Sequence, residues 1–196
     1  VGRKFTKEGE DPFEKLKWKK RNIEIVNIDG TTAFEMKNVN LPANFSGVAA
    51  NVLSQKYFRK AGIAAKLKES KERGVPSWLS KSVPDEKALS KMKKEKRYVE
   101  ETNGKELFRR LAGTWTYWGW KNDYFKTEKD AKAFYEELCY MLAAQIASPN
   151  SPQWFNTGLN WAYGIEGPAQ GHLYINQENG QVENSKNAYE RPQPHA

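Results

Sequence analysis

The run RNIEIVNIDGTTAFEMK, residues 21–37, leaves this chain the least freedom. Asp29-Gly30 lies between two β-prone runs, the local signature of antiparallel strands joined by a two-residue turn. Such a turn sets the register, with Ile25 opposite Phe34 and Ile23 opposite Met36. Side chains alternate along a strand, so these four apolar residues share one face and Glu24 and Glu35 fall on the other. A two-stranded ribbon is marginal alone in water, so its apolar face must pack on something the rest of the chain supplies. Before it, Asp11-Pro12 and Trp18 read as a strap laid over the surface.

Beyond the ribbon, helical spacing dominates. In ANFSGVAANVLSQKYFRKAG, residues 43–62, Phe45, Val48, Ala49, Val52 and either Lys56 or Tyr57 recur at helical intervals, with Ala61-Gly62 as the stop. A second helix is predicted from Glu106, with Leu107, Phe108, Leu111, Trp115 and Trp118 on one side. The third, over 128–147, carries the best signals. Thr127 caps it and Asp130 completes an acidic capping box, while Ala131, Phe134, Leu138, Met141, Leu142, Gln145 and Ile146 form the inward stripe. This helix is expected to end near Ser148-Pro149, with Cys139 at the edge of its stripe as a small packing residue. Further on, residues 172–175 and Gln181-Val182 read as a second hairpin around Asn179-Gly180.

Charge narrows the function classes. The net charge is +8, and residues 66–97 hold eleven Lys or Arg against five Asp or Glu, a local excess of six. Such a stripe can attract nucleic acid through counterion release, or it can be a solvated, lysine-rich connection. Pro76 and Pro84 favour an irregular connection over a helix that tracks DNA. The tryptophan-rich run 115–120 reads as core packing, with a base-stacking platform as the competing account. No apolar run approaches the ~20 residues that span a bilayer, and residues 1–15 lack the apolar centre of a signal peptide. One cysteine allows no internal disulfide and fits a reducing cytoplasm. There is no Gly-rich phosphate loop, CxxC or HxxxH, and two histidines are too few for a metal site on their own.

The stretch NSPQWFNTGLNWAYGI, residues 150–165, cannot be one regular helix, yet it carries two Trp, a Phe and a Tyr. Trp154, Phe155 and Trp161 are expected to anchor it against the helix that precedes it. Ser151, held between Asn and Pro after a helix end, can either brace its own turn or donate to an anionic oxygen.

Five blocks in order resemble the N-terminal part of class II, adenosylcobalamin-dependent ribonucleotide reductases: NFSGVAANVLSQKYFRKAG, LFRRLAGTWTYWGWKNDYF, AFYEELCYMLAAQIASPNSPQWFNTGLNWAYGI, GPAQGHLY and AYERPQPHA. The resemblance covers almost the whole chain. It implies an α+β fold, mainly α-helical, with a strap and β-hairpin (1–43) and a helical domain (44–147) containing the basic connection 66–97. Residues 148–196 would then hold a substrate-site loop, the second hairpin and the approach to a ten-stranded α/β barrel completed by other sequence.

The same resemblance implies an enzyme that reduces ribonucleoside di- or triphosphates to 2′-deoxyribonucleotides for DNA synthesis through a thiyl radical. It is active only with a C-terminal catalytic part that supplies the cysteines and holds most of the adenosylcobalamin. Three barrel cysteines are needed and this chain has one, so no residue here is expected to be catalytic and none to bind metal. By position, Ser151 corresponds to a hydroxyl near the substrate phosphates, and Ala196 to the residue whose backbone contacts the nucleotide just before a redox cysteine. Asn150, Asn156 and His195 are supporting candidates, and His172 is given no role. An end at Ala196 would fit a split subunit, an intein junction or a processed product. The expected partners are the C-terminal part and a ribonucleotide, with no membrane. The oligomeric state stays open, a homodimer of the complete enzyme being one form. A basic, aromatic-rich nucleic-acid-binding module is the alternative.

Overall fold

The computed structural model describes residues 1–169, 171–176 and 179–191. Its first ribbon pairs β1 (Trp18–Val26) with β2 (Thr32–Pro42) in the expected register, Ile23 with Met36, Glu24 with Glu35 and Ile25 with Phe34. Ile23 and Met36 are buried and both glutamates are exposed. The turn differs from the two-residue form. Asn27 N–H donates to the Thr31 carbonyl at 2.8 Å and Gly30 N–H to the Asn27 carbonyl at 3.0 Å, so residues 28–30 form a three-residue loop. Gly30 takes φ +84°, the left-handed geometry such loops require. A register shift between Ile25 and Val26 absorbs the odd residue, which is why the apolar pairs still face each other.

The predicted helix at 43–62 is shorter and changes character. Ser46 caps α1 (Gly47–Val52), and a π-helical turn over Leu53–Tyr57 replaces its continuation, ending at Phe58 rather than Ala61. Ala50, Leu53 and Phe58 face the core, whereas Val48 is exposed. The basic connection is not irregular throughout. Two-residue strands β3 (Ile63–Ala64) and β6 (Tyr98–Val99) pair with each other, β4 (Leu67–Ser70) pairs with β5 (Lys81–Pro84), and the short helix α2 (Glu86–Ser90) follows. Its lysines lie mostly at or near the surface, as the solvated reading expects.

Two long helices form the body. Asn103 caps α3 (Gly104–Lys121), and Leu107, Phe108 and Leu111 are fully buried. Thr127 caps α4 (Glu128–Ala143): its Oγ1 accepts from Asp130 N–H at 3.1 Å and donates to the Asp130 carboxylate at 2.8 Å, closing the predicted box. This helix stops four residues early. Gln145 adopts φ +58°, and Gln145 and Ile146 are exposed instead of inward. Cys139 is fully buried rather than at an edge, because the inward face runs through Ala131, Cys139, Leu142 and Ala143. The main core gathers α3, the end of α4, the ribbon, Phe13 and Trp154.

The strap is real. Glu137 of α4 accepts from Phe5 N–H, Thr6 N–H (2.7 Å) and Thr6 Oγ1–H (2.6 Å), Arg3 pairs with Glu136, and Phe5 stacks on Tyr140. After α4 come α5 (Ser151–Asn156) and α6 (Leu159–Tyr163), then the hairpin β7 (Leu173–Ile175) with β8 (Val182–Asn184). The class is α+β as expected. The sheets are two-stranded, and the described residues close no barrel.

Candidate functional site

The aromatic stretch becomes two short helices because glycine allows a sharp joint. Gly158 sits at φ +85° between α5 and α6, and a Cβ there would lie 2.5 Å from Thr114 Oγ1 and 2.6 Å from the Arg110 carbonyl oxygen. The joint therefore presses directly on α3. Trp161 occupies the space left by Gly113, where a Cβ would meet its ring at 2.1 Å, and its indole N–H donates to the Leu79 carbonyl at 3.1 Å.

Ser151 stands at the first position of α5 and is exposed. The Asn150 side chain accepts from Ser151 N–H at 2.8 Å, and Pro152 sits in the first turn, where its missing N–H costs nothing. The Ser151 hydroxyl lies 3.0 Å from the Tyr57 hydroxyl, with either able to donate. Tyr57 is itself fixed. Its ring stacks on Trp154 at 5.4 Å and 7°, and Trp154 meets Phe108 of α3 edge-on at 6.2 Å. The π-helical turn delivers Tyr57 to this place, an extra residue per turn rotating it onto α5.

Beneath α5 lies a buried charge pair. Arg110 and Glu101 are both solvent-inaccessible, with Arg110 Nε 2.8 Å and Nη2 3.2 Å from the Glu101 carboxylate. Glu101 also accepts from Tyr163 O–H at 2.5 Å and from Arg59 N–H at 2.8 Å. Burial pushes the Tyr163 phenol well above its usual pKa, and the adjacent Glu101 adds to the effect, so the phenol stays a donor. The other guanidinium edge donates to the carbonyls of Trp154 (Nη2, 3.1 Å) and Thr157 (Nη1), near the C-terminal end of α5. A cation at carbonyls that a short helix leaves open is favourable. Arg110 thus holds α5 while Glu101 neutralises the charge and reaches α6 through Tyr163.

The structure brings Asn150 and Ser151 together and places Asn156 half-buried at the far end of α5. His195 and Ala196 lie outside the described residues. The expected anchoring on α4 is corrected: Trp154 packs mainly on Tyr57 and Phe108, Trp161 on α3, and Phe155 is partly exposed, because Gly158 turns the segment toward α3. Sequence reasoning passed over Tyr57, Glu101, Arg110 and Tyr163. One signal was available: Arg110 lies three residues after Leu107, on the apolar side of α3, where a charge needs a partner. Trp154 is buried and the other six tryptophans are half-buried, which favours core packing over a base-stacking platform. Among the described residues no group of His, Cys, Asp and Glu could hold a metal ion, and no helix is long and apolar enough to cross a membrane.

Comparison with known proteins identifies relatives of the chain. A family model described as class II vitamin B12-dependent ribonucleotide reductase matches residues 19–145. The chain is 54% identical over its whole length to a vitamin B12-dependent ribonucleotide reductase of Bradyrhizobium diazoefficiens, covering 16% of that protein. It is 54% identical to one of Agrobacterium fabrum, covering 15% of it, and 29% identical over 95% of the chain to one of Rhodopirellula baltica. The chain therefore spans about one sixth of the length of these relatives. The matched region runs from the first ribbon to the end of α4, the frame that holds Tyr57 and Arg110 against α5, and on this ground the chain belongs to the family of class II vitamin B12-dependent ribonucleotide reductases.

Proposed function

We propose that this chain is the N-terminal region of a cobalamin-dependent ribonucleotide reductase and forms one wall of its nucleotide site. The observation that carries the site is the Ser151 hydroxyl, exposed, fixed by Tyr57 and mounted on a helix clamped by Arg110. A small hydroxyl held in one place can donate to a substrate phosphate without ordering a long side chain. Asn150 keeps the first turn in position, and the fixed platform lowers the ordering needed on binding. Ala196 completes the proposed contacts, with Asn156 and His195 in support.

The chemistry belongs to the rest of the reductase. Cys139 is fully buried and burial raises its thiol pKa, so it suits packing and not radical or redox exchange. Clefts among the described residues measure about 550, 420 and 340 Å³. A corrin macrocycle with its nucleotide loop and adenosyl group is far larger, so none of these clefts alone encloses the cofactor. Adenosylcobalamin, the reacting cysteines and the ten-stranded barrel are assigned to the remaining polypeptide, which is also the chain's partner in a cytoplasmic enzyme. The substrate is a ribonucleoside di- or triphosphate.

The test is Ser151→Ala in the full-length reductase. A hydrogen bond to a charged phosphate contributes about 1.5–3 kcal/mol, so KM should rise about tenfold or more. Unchanged KM and kcat would rule out the phosphate contact.

A further inference from the structure

We propose that the apolar groove between α1 and the C-terminal end of α4 seats a segment of the same reductase polypeptide that lies outside these 196 residues. The proposal rests on the reading of this chain as one part of a longer reductase.

The groove holds about 340 Å³ and is lined mainly by carbon, from Phe45, Val48, Val52, Tyr57, Leu142 and Trp154. Its walls come from elements that each break regularity at this place. Past Val52, α1 becomes a π-helical turn, and past Ala143, α4 gives way to the left-handed Gln145. Helix α1 is apolar on two sides. Ala50 faces the core together with Leu53, which follows the helix, whereas Val48 and Val52, four residues apart, face away from it. With Asn51 as its one polar side chain, a helix apolar on two sides is one expected to be covered on both, yet Val48 is 74% exposed in this chain. Nor is Val48 a single stray residue. Ile146, between the groove residues Gln145 and Ala147, is 51% exposed, and Phe155, against the Tyr57 ring, is 38% exposed.

Two observations identify the occupant. The greater part of the relatives' polypeptide lies beyond the region this chain covers, so abundant chain remains to be placed. The groove also shares a wall with the proposed nucleotide contact, since Tyr57 lines the groove and touches Ser151. A nucleotide that reaches Ser151 and a cysteine elsewhere at the same time forces the remaining polypeptide up to this face. The segment that fits is an apolar wedge carrying a few aliphatic or aromatic side chains.

The experiment uses the full-length reductase with Val48→Cys and, as a reference, Ile28→Cys at the fully exposed ribbon tip. Each is pulse-labelled with a maleimide and read at the modified peptide by mass spectrometry. Val48→Cys should label at least tenfold more slowly than Ile28→Cys at every protein concentration. Equal rates overturn the proposal. Protection that vanishes on dilution assigns the groove to a second copy and also overturns it. Carbene footprinting of the unsubstituted reductase, comparing residues 47–57 with 27–31, supplies the same reading without a new thiol. Free labelling in an enzyme whose Ser151→Ala variant still raises KM rejects the seat alone. Protection with unaltered Ser151→Ala kinetics supports the seat and rejects only the phosphate contact.

Discussion

At Arg110 four polar contacts and a buried counter-charge meet in one side chain, and the energetics are lopsided. A buried ion pair adds little net stability against an apolar replacement, but removing one partner strands the other charge. Arg110→Met should therefore cost about 3–5 kcal/mol in denaturant unfolding, and the double change Arg110→Met with Glu101→Leu should recover a large part of it. Additive losses would show that the two side chains do not act as a pair. Tyr57→Phe keeps the ring on Trp154 and removes only the hydroxyl beside Ser151. It should raise the reductase KM by a smaller factor than Ser151→Ala, with kcat little changed; a larger effect than Ser151→Ala would reverse the roles of the two residues. Ser151 and Asn150 could be singled out as candidates because the resemblance supplied their place after a helix end. Tyr57 and Glu101 were not, since Tyr57 depends on a π-helical turn that helical spacing does not announce, and Glu101 sits in a stretch of charges where nothing marks it as the buried one.

Between elements, the joint of α5 and α6 separates two effects that glycine usually mixes. Gly158 and Gly30 have nearly the same φ, +85° and +84°, but a Cβ at Gly30 meets nothing within 4 Å whereas one at Gly158 meets Thr114 and Arg110 below 3 Å. Gly30→Ala should cost about 1 kcal/mol from backbone strain alone, and Gly158→Ala clearly more, about 2–3 kcal/mol or above. Equal losses in denaturant titrations would mean that α6 shifts freely off α3. Periodicity located both long helices and the first ribbon, and the capping box marked where α4 begins. It misjudged where helices end, because α4 stops at a left-handed Gln145 that no glycine or proline marks. It also mistook the inward face of α4, where Glu137 is buried by the strap rather than by apolar neighbours. The small strands of 66–97 went unread for a related reason. Only tertiary contact settles such short, polar strands.

Across the whole molecule, the strap on α4 makes stability depend on acid. Burial alone would raise the Glu137 carboxyl, but hydrogen bonds from Thr6 and from the backbone of residues 4–6 outweigh it and hold the pKa below the ordinary value. A carboxyl depressed in the fold contributes fully above its unfolded pKa, near 4.3, and that contribution fades as pH falls through the lower folded value. Proteolysis within residues 1–10 should therefore accelerate below about pH 4, and Glu137→Gln should give a strap that is loose at neutral pH as well. A cleavage rate flat down to acid unfolding would exclude Glu137 as the latch. Cys139, sealed in the same helix, should resist a thiol reagent in native buffer and react once denaturant is added; fast native labelling would contradict its burial. The latch and its strap lie 131 residues apart along the chain. At about 5–20 residues per second, a ribosome needs roughly 7–26 seconds to make the stretch between them. For that interval the strap has no binding site, and its polar, lysine-bearing composition keeps it harmless while it waits. One stitch of this fold is thus sewn with thread spun long before the cloth that receives it.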